Sequence, residues 1–199
     1  MDFRLRALFR DFSGRSAGLS LLSGGMLAFA FPEYDWSLLL WVGFVPLFFA
    51  FEGLSYRGVY WTSVLSGSVM IWIAYPWLAY LAQVFMKIPA PLHFVPWLLG
   101  GFVISQMFGI AGLLFVFIRK HTKCPVPLIW PLCLVTVWSV FPNVFYFNLG
   151  NAVHAFPAAL QATSITGVFG LDFLVALANT SIYAAIRWKQ SDAPSWKKA

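Results

Sequence analysis

Long apolar runs, broken by short polar or proline-bearing stretches, set the plan of this chain. A helix needs roughly 20 apolar residues to cross a hydrocarbon core about 30 Å thick. Residues 59–85, 93–118 and 160–186 meet that length, the last carrying one charge. A fourth run, 127–141, is shorter and continues into the uncharged aromatic stretch 142–156. Two shorter pieces, 17–31 and 37–51, come first and flank Pro32-Glu33-Tyr34-Asp35-Trp36. They read either as thin spans or as a re-entrant hairpin, and both readings return the chain to its starting side. The pattern predicts an all-α integral membrane protein of about six transmembrane helices, the first two short. Pro46, Pro76, Pro96 and Pro131 fall inside these runs and predict kinks.

Basic residues orient the runs, because cytoplasmic loops carry an excess of Lys and Arg. Arg4, Arg6, Arg10 and Arg15 precede the first segment and Arg57 follows the second. Arg119, Lys120 and Lys123 follow 93–118, the fourth segment in chain order, and Arg187, Lys189, Lys197 and Lys198 follow 160–186, the sixth. Of the 13 Lys and Arg, only Lys87 falls on the opposite side, with Glu33 and Asp35. Both termini are therefore expected in the cytoplasm. The chain divides into a basic N-terminus (1–16), a transmembrane helical domain (17–186) and a basic tail (187–199). Ala28-Phe29-Ala30 mimics a signal-peptide cleavage pattern, but the acidic turn and second apolar piece that follow favour a retained first helix.

Composition agrees. Of 199 residues, 60% are hydrophobic and 10% charged, and the mean hydropathy is +0.77; a soluble domain has about 25% charged residues. The net charge of +6 follows the topology rather than forming a nucleic-acid patch, so no nucleic-acid partner is expected. Cys124 and Cys133 have no metal-ligand or CxxC spacing, and no metal or cofactor is called for.

Soluble-type catalysis finds no footing, since a nucleophile needs an activating base within reach. The outer side offers Lys87, Glu33, Asp35, His93 and His154, but no cysteine. Asp172, near the middle of the sixth run, is the most informative residue. A charge there costs about 2.5–3.5 kcal/mol on insertion scales. It reads either as a substrate contact or as a carboxyl bonded to neighbouring helices. With Thr163, Thr166 and Asn179 it extends a sparse polar stripe that can serve as packing glue. The stretch 142–156 is the second clue: aromatic, rich in Asn, and suited either to an outer loop that dips into the bilayer to handle a lipid or to an interfacial anchor. Gly24-Gly25, Gly100-Gly101 and the pair Gly109 and Gly112 are expected at close helix contacts.

The order of several motifs resembles the membrane region of bacterial apolipoprotein N-acyltransferases. Leu21-Leu22-Ser23-Gly24-Gly25, Ala30-Phe31-Pro32, Asp35-Trp36, Trp41-Val42 and Val45-Pro46-Leu47 are similar to the family's opening. Pro127-Leu128-Ile129-Trp130, Phe141-Pro142, Leu149-Gly150, Gln161, the run from Ile165 to Leu171, and Asn179 follow in order. The resemblance covers about residues 17–186. It implies a multi-pass protein of the bacterial inner membrane. The family's reaction moves an acyl chain from a phospholipid to a lipoprotein amino group through a Glu-Lys-Cys triad in a nitrilase-like domain. No part of this chain resembles that domain, so no catalytic residue is assigned. The implied partners are membrane phospholipid, lipoprotein precursors and a separately encoded nitrilase-like domain. Phe145, Tyr146, Asn148, His154 and Asp172 are the candidate lipid contacts. Two departures stand out: family members often carry Glu and Arg where Leu134 and Val137 stand, and a small hydroxyl residue at Asp172. A non-catalytic lipid-binding scaffold that kept the fold, or an inactive truncated product, is the alternative.

Overall fold

Ser13 opens the first helix by accepting the Ser16 amide on its Oγ at 3.1 Å, satisfying one of the unpaired donors of a helix start. The structure is a computed structural model that describes residues 13–142, 145, 147–154 and 156–191. Helix α1 (Gly14–Phe29) is followed by a 3-10 turn (Ser37–Trp41) and the short α2 (Val45–Ala50). Ser55 caps α3 (Tyr56–Ala74) as Ser13 caps α1, accepting the Gly58 amide at 3.2 Å. Then come α4 (Trp77–Val84), α5 (Phe94–His121) and α6 (Val126–Val140). A second 3-10 turn (Leu149–Val153), α7 (Pro157–Gln161) and α8 (Thr163–Ser191) complete the described chain, which is all-helical among the described residues. Phe94–His121 and Thr163–Gln190 are long and apolar enough to cross a membrane, and α3 with α4 makes a third if that bent pair is one span.

Two of the expected spans are not straight helices. The run 59–85 breaks at Tyr75, and α4 leaves α3 at 66°. Pro76 explains this. It has no amide to donate and it crowds the residue before it, so Tyr75 sits at φ −128°, ψ 54°, outside the helical region. The run 37–51 is also broken, between the first 3-10 turn and α2, with Pro46 seated in the first turn of α2. Pro96 occupies the first turn of α5, where a missing amide is harmless. Pro131 lies inside α6.

Register along the helices gives their directions. Ser20 Oγ donates to the Thr62 carbonyl, and Gly24 lies against Ser66 and Val69, so α1 and α3 run parallel. Gly67 meets Phe108, Ser68 Oγ lies 2.8 Å from Ser105 Oγ, and Gly101 meets Trp72, so α3 and α5 are antiparallel. Close approach of helices through small residues and hydroxyls suits a bundle in lipid, where apolar burial alone gives no drive to associate. The glycine pairs divide between faces: Gly24 and Gly101 lie at contacts, while a Cβ at Gly25 or Gly100 would meet nothing within 4 Å. Gly109 and Gly112 both lie at contacts with α3.

Ala substitution should therefore separate Gly67 from Gly100. A Cβ on Gly67 would fall 2.5 Å from Cδ2 of the fully buried Phe108. Gly67→Ala is expected to destabilise by about 1–3 kcal/mol, the range for overpacking. Gly100→Ala should leave thermal stability in detergent unchanged or slightly raised. Equal effects would refute the packing of α3 on α5.

The centre of the bundle is aromatic. Trp130 is fully buried, with the rings of Phe44 and Phe48 each at 5.4 Å and Phe115 at 5.8 Å. At one end, Glu52 accepts the Tyr183 hydroxyl at 3.0 Å and pairs with Arg187 Nε at 3.1 Å. Lys120 lies over the Tyr56 ring at 4.2 Å, which puts the end of α5 beside the start of α3.

Candidate functional site

Residues 147–154, in the loop between α6 and α7, fold back into the end of the bundle opposite Arg119 and Arg187. Leu149, Gly150, Ala152 and Val153 are buried, and a Cβ on Gly150 would lie 2.8 Å from Val168 Cγ2. A backbone so deep in an apolar bundle needs its polar groups paired. Asp172, 0% exposed on α8, does this. Its Oδ1 accepts the Gly150 amide at 2.8 Å, and its Oδ2 accepts the Asn148 side-chain amide. Two of the five candidate residues, Asn148 and Asp172, thus meet directly, and they anchor the loop.

Phe145 and His154 stand at the rim instead. Phe145 is 39% exposed and packs edge-on to Trp77 at 5.4 Å. Behind it, Phe147 meets Tyr75 at 4.9 Å, and Tyr75 meets Phe31 at 5.2 Å. His154 Nε2 lies 3.0 Å from Asp35 Oδ1, with both side chains well exposed. Asp35 holds a left-handed backbone, φ 62°, which Asp tolerates better than most residues, and Ser37 Oγ donates to its Oδ1 at 3.3 Å. Beside this pair lies an open groove of about 420 Å³, lined by Asp35, Trp36, Ser37, Leu38, Leu39 and Phe156. Tyr146 lies outside the described residues.

The polar stripe expected on α8 does not form one face. Gly167, at φ 66°, kinks the helix and separates Thr163 and Thr166 from the rest. Both threonines bond locally, to the Leu160 and Ala162 carbonyls. Asn179 instead repairs the break in the second segment. Its Oδ1 accepts the Phe44 amide at 2.8 Å, and its Nδ2 donates to the Leu40 carbonyl at 2.9 Å. Ser23 Oγ donates to the Gly43 carbonyl at 2.7 Å. Trp77, Phe147 and Phe156 were not singled out from the sequence as site residues. The signal was faint, because an aromatic near a segment end is equally an interfacial anchor. Among the described residues no group of three or more His, Cys, Asp or Glu is placed to hold a metal ion.

The exposed Asp35–His154 pair should matter little to stability. Surface ion pairs contribute about 0–1 kcal/mol. His154→Ala is expected to change thermal stability by less than about 1 kcal/mol. A larger loss, removed by also changing Asp35, would show that the pair holds the loop closed.

Fold and site together define a helical membrane domain that holds a loop between its helices by a buried carboxylate. Comparison with known proteins makes this specific. The family model of the apolipoprotein N-acyltransferase N-terminal domain matches residues 23–181, and the chain belongs to this family. It is 26% identical to an apolipoprotein N-acyltransferase of Geobacter metallireducens, over 94% of this chain and 37% of that protein. It is 27% identical to one of Thermotoga maritima, over 85% of this chain and 35% of that protein. An apolipoprotein N-acyltransferase 2 of Leptospira interrogans is 23% identical over 82% of this chain and 28% of its own length. The chain thus spans about a third of the length of these relatives.

Proposed function

We propose that this chain is the membrane module of an apolipoprotein N-acyltransferase-like protein in the bacterial inner membrane. It works with a nitrilase-like domain that supplies the acyl-transfer chemistry, on phospholipid as donor and lipoprotein precursors as acceptors. The anchored loop carries the reading: a family membrane domain that folds a loop of aromatic and amide residues back on a buried aspartate has built something more than a span. Here Asn148 and Asp172 set the loop's position. Phe145 and His154, with Trp77, form the rim that meets lipid; Tyr146 is a further candidate contact by its place in the sequence. The groove beside Asp35 is suited to an acyl chain, since Leu38, Leu39 and Phe156 are among its lining.

The proposed topology has six membrane segments with both termini in the cytoplasm. Glu52, Arg119 and Arg187 mark the inner surface. Counting back from Arg187 at about 1.5 Å per residue, Asp172 lies about 22 Å deeper, inside the outer third of a core about 30 Å thick. Helix α1 runs beside α3 over nearly its whole length, which supports a thin span for the first segment. The broken second segment returns alongside α8.

The test removes this chain from cells and weighs the N-terminal peptide of a mature lipoprotein by mass spectrometry. The expected result is loss of the amide-linked acyl chain, restored by the wild-type chain. Unchanged N-acylation would instead make this a non-catalytic lipid-binding relative.

A further inference from the structure

Helix α3 has 19 residues and rises about 28 Å, almost the full hydrocarbon thickness, before the chain reaches Tyr75. Its partner α5 gives the same limit. Trp72 Nε1 donates to the Leu98 carbonyl at 3.1 Å, so the end of α3 stands level with residues 98–101. From there down to Arg119 is about 30 Å of helix. Helix α4 therefore begins where the hydrocarbon ends, and it departs at 66°. It has no second span to make. The helix and the turn after it nevertheless expose large apolar and aromatic side chains: Tyr80 is 65% exposed, Phe85 77% and Met86 65%. Lys87 follows at once, the single basic residue on this side of the topology.

We propose that α4 and the turn after it lie in the plane of the outer leaflet as a phospholipid-binding arm. Tyr80, Phe85 and Met86 sink to the boundary between headgroups and acyl chains, and Lys87 pairs with a lipid phosphate. An amphipathic tyrosine, an apolar tip and a lysine on a flexible stem are the groups that suit this depth. Tyr75 and Trp77 join the arm to Phe147 and Phe145, so a lipid held there sits beside the rim of the loop. The outer-leaflet assignment rests on the orientation proposed above.

The experiment places the full chain, with Cys124→Ser and Cys133→Ala, in vesicles of phosphatidylcholine and phosphatidylglycerol. A fluorophore is attached to Phe85→Cys or, as a deep reference on α5, to Ile110→Cys. Nitroxide quenchers are carried near the lipid headgroup or at mid-chain, and iodide is supplied in the water. The Phe85 label should be quenched most by the headgroup nitroxide and the Ile110 label most by the mid-chain one. Lys87→Glu should shift the Phe85 label toward iodide quenching; no shift would overturn the phosphate contact. Mid-chain quenching at Phe85 would mean that α4 crosses the bilayer, and iodide quenching alone would put it in water. Either result overturns the arm. A Lys87→Cys chain should react with a membrane-impermeant maleimide in spheroplasts. Reaction only after lysis would overturn the outer-leaflet assignment and the proposed orientation, while leaving the in-plane geometry to the quenching data.

Discussion

Replacing Asn179 with leucine should destabilise the protein by about 2–4 kcal/mol, among the largest effects of any single polar substitution in it. The second apolar segment is not one helix, so the Leu40 carbonyl and the Phe44 amide have lost their usual helical partners. Asn179, fully buried on α8, serves both. Leucine fills the same volume and serves neither. Measured side-chain hydrogen bonds between membrane helices average only about 0.6 kcal/mol, because the separated helices find other partners. That discount is smaller here, since the stranded groups are backbone groups fixed at a break and enclosed by packed side chains. Each buried unpaired group costs about 1–3 kcal/mol. Asn179→Asp, kept protonated by burial, retains an acceptor for Phe44 and one O–H for the Leu40 carbonyl, and should fall between wild type and Asn179→Leu. Unfolding by SDS in mixed micelles would measure all three. A leucine variant within about 1 kcal/mol of wild type would show that the break is held by packing alone.

Asp172 and Asn179 were visible in the sequence for the same reason that they matter. A polar residue inside an apolar run has to find a partner, and hydropathy marks the run. Hydropathy could not name the partner. Gly150 lies 22 positions before Asp172 and Phe44 lies 135 before Asn179, and no local pattern couples positions so far apart. The bend at Tyr75 was legible in part. Pro76 predicted a kink within 59–85, but summed hydropathy counts apolar residues without regard to direction, so it could not show a turn of 66° that takes α4 out of the span. Gly167 has φ 66° and open space around it, so it bends α8 rather than seating it against a neighbour. The same glycine therefore breaks up the polar stripe that spacing alone had drawn through Thr163 and Asn179.

Asp172→Ala should free the loop that Asp172→Asn leaves in place. Alanine strands the Gly150 amide and the Asn148 side chain in the interior, at a cost of about 2–4 kcal/mol by the same reckoning as for Asn179. Asparagine keeps one carbonyl oxygen for the Gly150 amide. Its new NH2 faces the NH2 of Asn148, but a flip of the Asn148 amide turns that contact into a donor–acceptor pair. Its cost should stay near about 1 kcal/mol. Amide hydrogen exchange in detergent reads the difference locally: residues 149–153 should lose protection in the alanine variant and keep it in the asparagine variant, while α5 exchanges alike in both. This separates two roles for the residue. If Asp172 acts by holding the loop, lipoprotein N-acylation should follow loop protection and survive Asp172→Asn. If its negative charge itself meets substrate, Asp172→Asn should abolish acylation with the loop still protected, and the division of the site into anchor and rim would have to be redrawn.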